Sequence, residues 1–242
     1  MGFLIQVFSV AVVTLCIGLF RKRRRRSSWP LYVYTEEEAE QFENYVEEQF
    51  GHFDEVIHEI ISPDIHLDII VVPPTEDDNY YKLITMGMGA YKMHVPSELK
   101  CSGLERAELV LYLPPEWNIK SAEEKDYWPI RQLKILARLP ITCKTWLGFG
   151  HTVSSDAENT PYSDNTELCS MLLLDAVGKD CRKLDFSMPT TGKINFYQAV
   201  PLYKEELAFK MEHDADALLD LFDDDGLPVV LDINRKNYCA KR

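Results

Sequence analysis

The stretch DIHLD, residues 64 to 68, sets two carboxylates around an imidazole. In an extended chain, alternation places Asp64, His66 and Asp68 on one face and Ile65, Leu67 and Ile69 on the other. Two carboxylates flanking an imidazole form a donor set suited to a divalent cation. The same triplet is equally what the solvated face of an ordinary strand looks like, and no HExxH or comparable spacing supplies further ligands. A solvated strand face is therefore the expectation, with no metal, no cofactor and no catalytic residue. The alternative from another class is a metal-dependent or hydrolytic enzyme using His66, Asp68 and His151. It makes a geometric demand, that these side chains converge within hydrogen-bond reach in a cleft.

Two glycine-bracketed segments offer other chemistry. Gly87-Met88-Gly89 follows a strand-like run, as a phosphate loop would, but lacks the Gly-rich continuation and the Lys-Ser/Thr pair. A turn or bulge at positive φ is the expected reading. Gly148-Phe149-Gly150-His151, within TWLGFGHTV, could display Trp146, Phe149 and His151 as a recognition patch, because aromatic anchors dominate many interfaces. It could equally be a glycine-shaped turn whose aromatics belong to the core. No GxSxG nucleophile motif occurs. The six cysteines (16, 101, 143, 169, 181, 239) contain no C-x-x-C and read as free thiols in a reducing compartment.

The elements that must carry these residues are legible in outline. Residues 36 to 50 place Ala39, Phe42, Val46 and Phe50 near helical spacing, with Thr35 as cap and Gly51 as stop. EVIHEII (55 to 61), HLDIIVV (66 to 72), YYKLITMGMG (80 to 89) and ELVLYLPP (108 to 115) predict strands, as do residues 166 to 177 and 193 to 203. Residues 121 to 138 are helical in composition, with Pro129 placed near the first turn of WPIRQLKILARL. Residues 204 to 222 predict one long helix with Leu207, Met211, Ala215, Leu218, Leu219 and Phe222 on a single face. Strands and helices do not alternate regularly, so the expected fold is α+β, a mixed or antiparallel sheet packed with helices.

Ahead of this domain, residues 3 to 20 are mostly apolar and uncharged, enough for a helix of about 27 Å. RKRRRR (21 to 26) follows them, whereas a cleaved signal peptide carries its basic region first. Residues 1 to 26 are expected to be a single-pass transmembrane anchor with a basic stop, leaving residues 27 to 242 as a domain facing the cytoplasm. That domain carries 20 basic against 39 acidic residues, a net of −19. Such a surface repels phosphate backbones and excludes nucleic acid as partner. It suits a protein with a basic surface.

The blocks HLDIIVVPPTEDDNYYKLITMGMGAYKM (66 to 93), ERAELVLYLPPEWN (105 to 118), YWPIRQLKILARLP (127 to 140), GFGHTV (148 to 153) and INFYQAVPLYKEELAFKME (194 to 212) together resemble the bacterial branch of the suppressor-of-fused domain family. The resemblance spans roughly residues 35 to 235 and is strongest over NYYKLITMGMG and ERAELVLYLPPEWN. It implies an α+β domain that binds proteins. Animal members sequester Gli transcription factors; their partner-contacting Tyr corresponds to Leu139 here and the Asp beside their His to Gly150, and their additional C-terminal domain has no counterpart. Bacterial members resemble immunity proteins of polymorphic toxin systems, which implies a toxin domain as the partner.

Overall fold

The computed structural model describes residues 31–222, 226 and 229–240. The expected transmembrane segment lies outside the described residues, and among these no helix is long and apolar enough to cross a membrane.

Helix α1 (Glu36–Phe50) begins at a capping box. The Thr35 hydroxyl accepts from the Glu38 N–H at 3.2 Å, and the Glu38 carboxylate accepts from the Thr35 N–H at 3.0 Å. Glu36, Glu37 and Glu38 crowd the positive end of the helix dipole, and Gly51, at φ +116°, ends the helix. Strands β1 (Glu55–Ile57), β2 (Asp68–Val72), β3 (Tyr81–Met86) and β4 (Ala107–Leu113) follow. Then come α2 (Glu124–Cys143), β5 (Thr152–Ser154), β6 (Leu168–Asp175), β7 (Asp185–Met188), β8 (Gly192–Tyr203), α3 (Lys204–Glu212) and α4 (Ala215–Phe222). The eight strands form one sheet in the order β1-β2-β3-β4-β8-β6-β5, with β7 also on β8. All pairings are antiparallel except β4 with β8, so the sheet is mixed.

Both faces of the sheet are covered, which explains the unbroken apolar runs. Ile69, Val71, Leu83, Leu109 and Leu111 face α2, whose Trp128, Leu133 and Leu136 are buried against them. Ile70, Val72, Ile84, Val110 and Phe196 point the other way, onto Phe42, Val46 and Phe50 of α1. Further along that same face, Val200 and Leu202 meet Leu218 and Phe222 of α4. Burying each of these aliphatic side chains is worth about 1.5–3 kcal/mol.

Several sequence expectations need correction. Pairing in the HLDIIVV run starts only at Asp68; Ile65 makes an isolated bridge to Tyr32, and β1 is confined to Glu55–Ile57. Helix α2 starts at Glu124, so Pro129 lies inside it and not in its first turn. Proline there has no N–H for the Lys125 carbonyl, which instead accepts from the Asn165 side-chain amide at 3.1 Å. The long C-terminal helix is two. His213, at φ −108° and ψ −104°, breaks it, and the Asp214 carboxylate caps α4 by accepting from the Ala217 N–H at 2.8 Å.

Candidate functional site

The segment joining β1 to β2 gathers most of the polar chemistry. Asp68 is only 3% exposed, so the expected solvated face is wrong at this residue. Its Oδ2 lies 2.9 Å from His58 Nδ1 and 3.4 Å from His66 Nε2, and its Oδ1 accepts from the Glu59 N–H at 3.0 Å. The Ser62 hydroxyl stands 2.9 Å from His66 Nδ1 and donates to Glu59 at 3.0 Å. Glu59 and Asp64 in turn converge on Arg138 of α2, at 2.5 Å and 3.1 Å. A buried carboxylate needs its lone pairs satisfied, and this loop supplies hydrogen bonds from His58 and the Glu59 N–H, with the His66 ring close by. At its tip, Ile60 and Ile61 are 97% and 79% exposed.

Ser62, His66 and Asp68 thus form a Ser-His-Asp series, yet the arrangement is a poor nucleophile. The Ser62 proton is committed to Glu59, and Asp68 is shared between two imidazoles, whereas a catalytic serine donates to an imidazole base held by its own carboxylate. A cleft of about 420 Å³ beside β1 is lined by Glu55, Tyr81 and Trp117–Lys120 and by none of the three. Nor does His151 join them. It precedes β5, five strand steps from β2 in the sheet order, or about 24 Å along the sheet. Among the described residues no group of three or more His, Cys, Asp or Glu is placed to hold a metal.

The Gly87-Met88-Gly89 loop does bind an anion, an internal one. The N–H groups of Gly87 and Gly89 each donate at 2.9 Å to Glu108, whose carboxylate also accepts from the Tyr34 hydroxyl at 2.7 Å and the Thr85 hydroxyl at 2.5 Å. Glu108 is fully buried. Desolvation pushes its pKa up to about 7 against the pull of these four donors. The glycines are obligatory: a Cβ on Gly87, at φ +124°, would sit 1.9 Å from the His66 carbonyl oxygen, and one on Gly89 2.2 Å from the Tyr34 hydroxyl. The expected positive-φ turn is found, and the carboxylate it surrounds is what the sequence reading missed.

The GFGH segment forms a tight loop tied to β6. The Gly150 N–H donates to the Leu173 carbonyl at 2.7 Å, and the Leu173 N–H to the His151 carbonyl at 2.9 Å. A Cβ on Gly148 would meet the Trp146 ring at 2.6 Å, so that indole lies against the loop backbone. Trp146 is half-buried against the core, its ring centroid 4.3 Å from that of His151. Phe149 stands out, 46% exposed. Burial, then the Lys210 ammonium, hold His151 down to about 4. Lys210 is itself buried, its ammonium 3.5 Å from the Thr152 hydroxyl. Leu139 is 4% exposed and packs in the α2 core, so of the four residues named from the sequence, Trp146, Phe149 and His151 share one loop and Leu139 does not reach the surface.

A mixed sheet with helices on both faces, carrying a glycine cradle around a buried glutamate and a pinned β1–β2 loop, makes this an α+β domain. The model of the suppressor of fused protein family matches residues 63–236, and the chain belongs to that family. It is 28% identical over 210 residues to an uncharacterized protein of Ureaplasma parvum serovar 3, covering 86% of this chain and 98% of that one. A suppressor-of-fused homolog from Neisseria gonorrhoeae superposes with a TM-score of 0.59 at 17% identity, over 84% of this chain and 98% of its own. A chain of the Sufu–Fu complex superposes at 0.56 with 16% identity, over 83% and 91%. At these identities the structural likeness is one of fold.

Proposed function

We propose that this chain is a protein-binding domain tethered to the cytoplasmic face of a membrane by residues 3–20, and that it acts as an immunity protein, binding and neutralising a toxin domain with a basic surface. Family membership supports the binding reading, as does the fold shared with a protein solved in the Sufu–Fu complex. The observation that carries it is Phe149, a large aromatic side chain held in solvent by a loop whose backbone is hydrogen-bonded on both sides. A rigid exposed aromatic loses little entropy on docking, the property of an interface anchor. The tether is supported by the uncharged apolar run followed by RKRRRR.

The test is capture of partners by detergent-solubilised full-length chain, followed by growth rescue on co-expression with any toxin domain recovered. Phe149→Ala should cost about 2 kcal/mol or more in affinity, roughly 30-fold, with the thermal midpoint unchanged. Equal binding by the variant would remove this loop from the interface. The contact between Ser62, His66 and Asp68 favours a hydrolytic reading as the second choice, and Ser62→Ala addresses it. Unchanged toxin neutralisation in that variant is the expected result; loss of activity in a folded, partner-binding protein would make the chain an enzyme.

A further inference from the structure

The β1–β2 loop carries two isoleucines that no element among the described residues covers. Ile60 is 97% and Ile61 79% exposed, a costly arrangement for branched aliphatic side chains. The loop beneath them is not slack. Glu59 and Asp64 are ion-paired to Arg138, and Asp68 is held by His58 and His66, so the backbone offering the two isoleucines is fixed from both sides. Arg138 offsets only part of the charge of the two carboxylates it pairs with, and the domain as a whole carries a net charge of −19.

Where the chain enters the domain decides what can cover this tip. The Tyr32 N–H donates to the Asp64 carbonyl at 2.8 Å, and the His66 N–H to the Tyr32 carbonyl at 2.9 Å, so the chain at Tyr32 lies directly on the base of the β1–β2 loop. Leu31 is five chain steps from Arg26, a span of at most about 18 Å. Ile61 is three chain steps from Asp64, at most about 11 Å. Leu31 and Val33, each 54% exposed, flank Tyr32 on the same entering segment.

From this juxtaposition we infer that Ile60 and Ile61 insert into the lipid interface beside the point where the chain leaves the membrane, and so set the orientation of the domain on the bilayer. The inference rests on the tether proposed above. A tether this short keeps the tip at an effective concentration in the millimolar range at the surface, so a weak intrinsic preference of two side chains for lipid is enough to hold it there. RKRRRR holds the adjoining chain at anionic headgroups against the repulsion of the acidic domain. The face carrying Phe149, at the far end of the strand order, is left clear of lipid for a partner.

The experiment uses the full-length chain, one per nanodisc, in phosphatidylcholine with about a quarter phosphatidylglycerol, with an environment-sensitive fluorescent amino acid at position 60. A second preparation carries it at Glu158, an exposed residue in the β5–β6 connection. Position 60 should emit at shorter wavelength than position 158 and be quenched several-fold more by lipids brominated near the headgroup. Ile61→Asp, on the same labelled chain, should reduce that quenching at least threefold while the chain stays in the disc. Water-like emission at position 60 in a chain that does incorporate overturns the docked tip and leaves the tether standing. A chain that does not incorporate at all overturns both. Blue-shifted emission that is indifferent to brominated lipid would mean the tip packs on protein, which also overturns the inference.

Discussion

Glu108 shows how a single buried charge can organise a neighbourhood. Its carboxyl group receives two backbone N–H donors and two hydroxyls, so an amide in its place must keep its oxygen on Gly87 and Gly89 and turn its NH₂ toward a hydroxyl that has to reorient. Glu108→Gln is therefore expected to destabilise the domain by about 1–3 kcal/mol, read as a lower denaturation midpoint at unchanged slope. Titration adds a second handle. Glu108 is raised to about 7, so it binds a proton more tightly folded than unfolded; its contribution is fully present below the ordinary carboxylate range near 4.5 and is lost as pH rises through 7. His151, lowered to about 4, works in reverse: its contribution is present above 6.5 and is lost as pH falls toward 4. The two slopes oppose each other between these limits, each amounting to a few kcal/mol at most. His151→Gln should remove one of them, so the variant should gain stability relative to the parent as pH falls from 7 to 4.5. Parallel curves would show that the His151 ring is solvated.

At the scale of elements, Arg138 joins α2 to the β1–β2 loop through two carboxylates more than seventy residues away along the chain. Arg138→Met keeps the stem packed and leaves Glu59 and Asp64 without their cation. That loss is worth about 3–5 kcal/mol if the pair stays dry and less if the loop swings into water. Faster amide exchange over residues 58–66, with α2 itself protected, is the expected signature; equal loss of protection throughout would mean that the pair holds the whole fold. How far such features were legible depends on their range. The Thr35 cap of α1 and the buried strands β2, β4, β6 and β8 are written in neighbouring residues, and their reading survives apart from the later start of β2 at Asp68. Short β5 and β7 carry too few residues for a periodic signal. The break at His213 hid because the apolar face of α3 and α4 continues across it, while Asp214 was the visible clue. Arg138, Glu108, Ser62 and Lys210 take their meaning from partners distant in sequence or from burial, which no local pattern reveals. Glu108 alone left a trace, a charge at the start of a strand otherwise wholly apolar.

For the molecule as a whole, charge and shape make separable demands on a partner. The domain from residue 27 onward carries −19, with the chain's basic cluster confined to residues 21–26. A field of that sign acts over the Debye length and governs encounter, whereas Phe149 acts only once surfaces touch and governs escape. Raising salt from about 0.1 M to 1 M shortens the Debye length from about 10 Å to about 3 Å. Association with a captured basic partner should therefore slow about tenfold or more over that range, with dissociation changing much less. Phe149→Ala should do the opposite, speeding dissociation and leaving the salt dependence of association as it was. Stopped-flow or surface-binding kinetics on the same preparation read both rates. An association rate indifferent to salt would mean that the acidity serves solubility and plays no part in selecting the partner, and recognition would then rest on the GFGH loop alone.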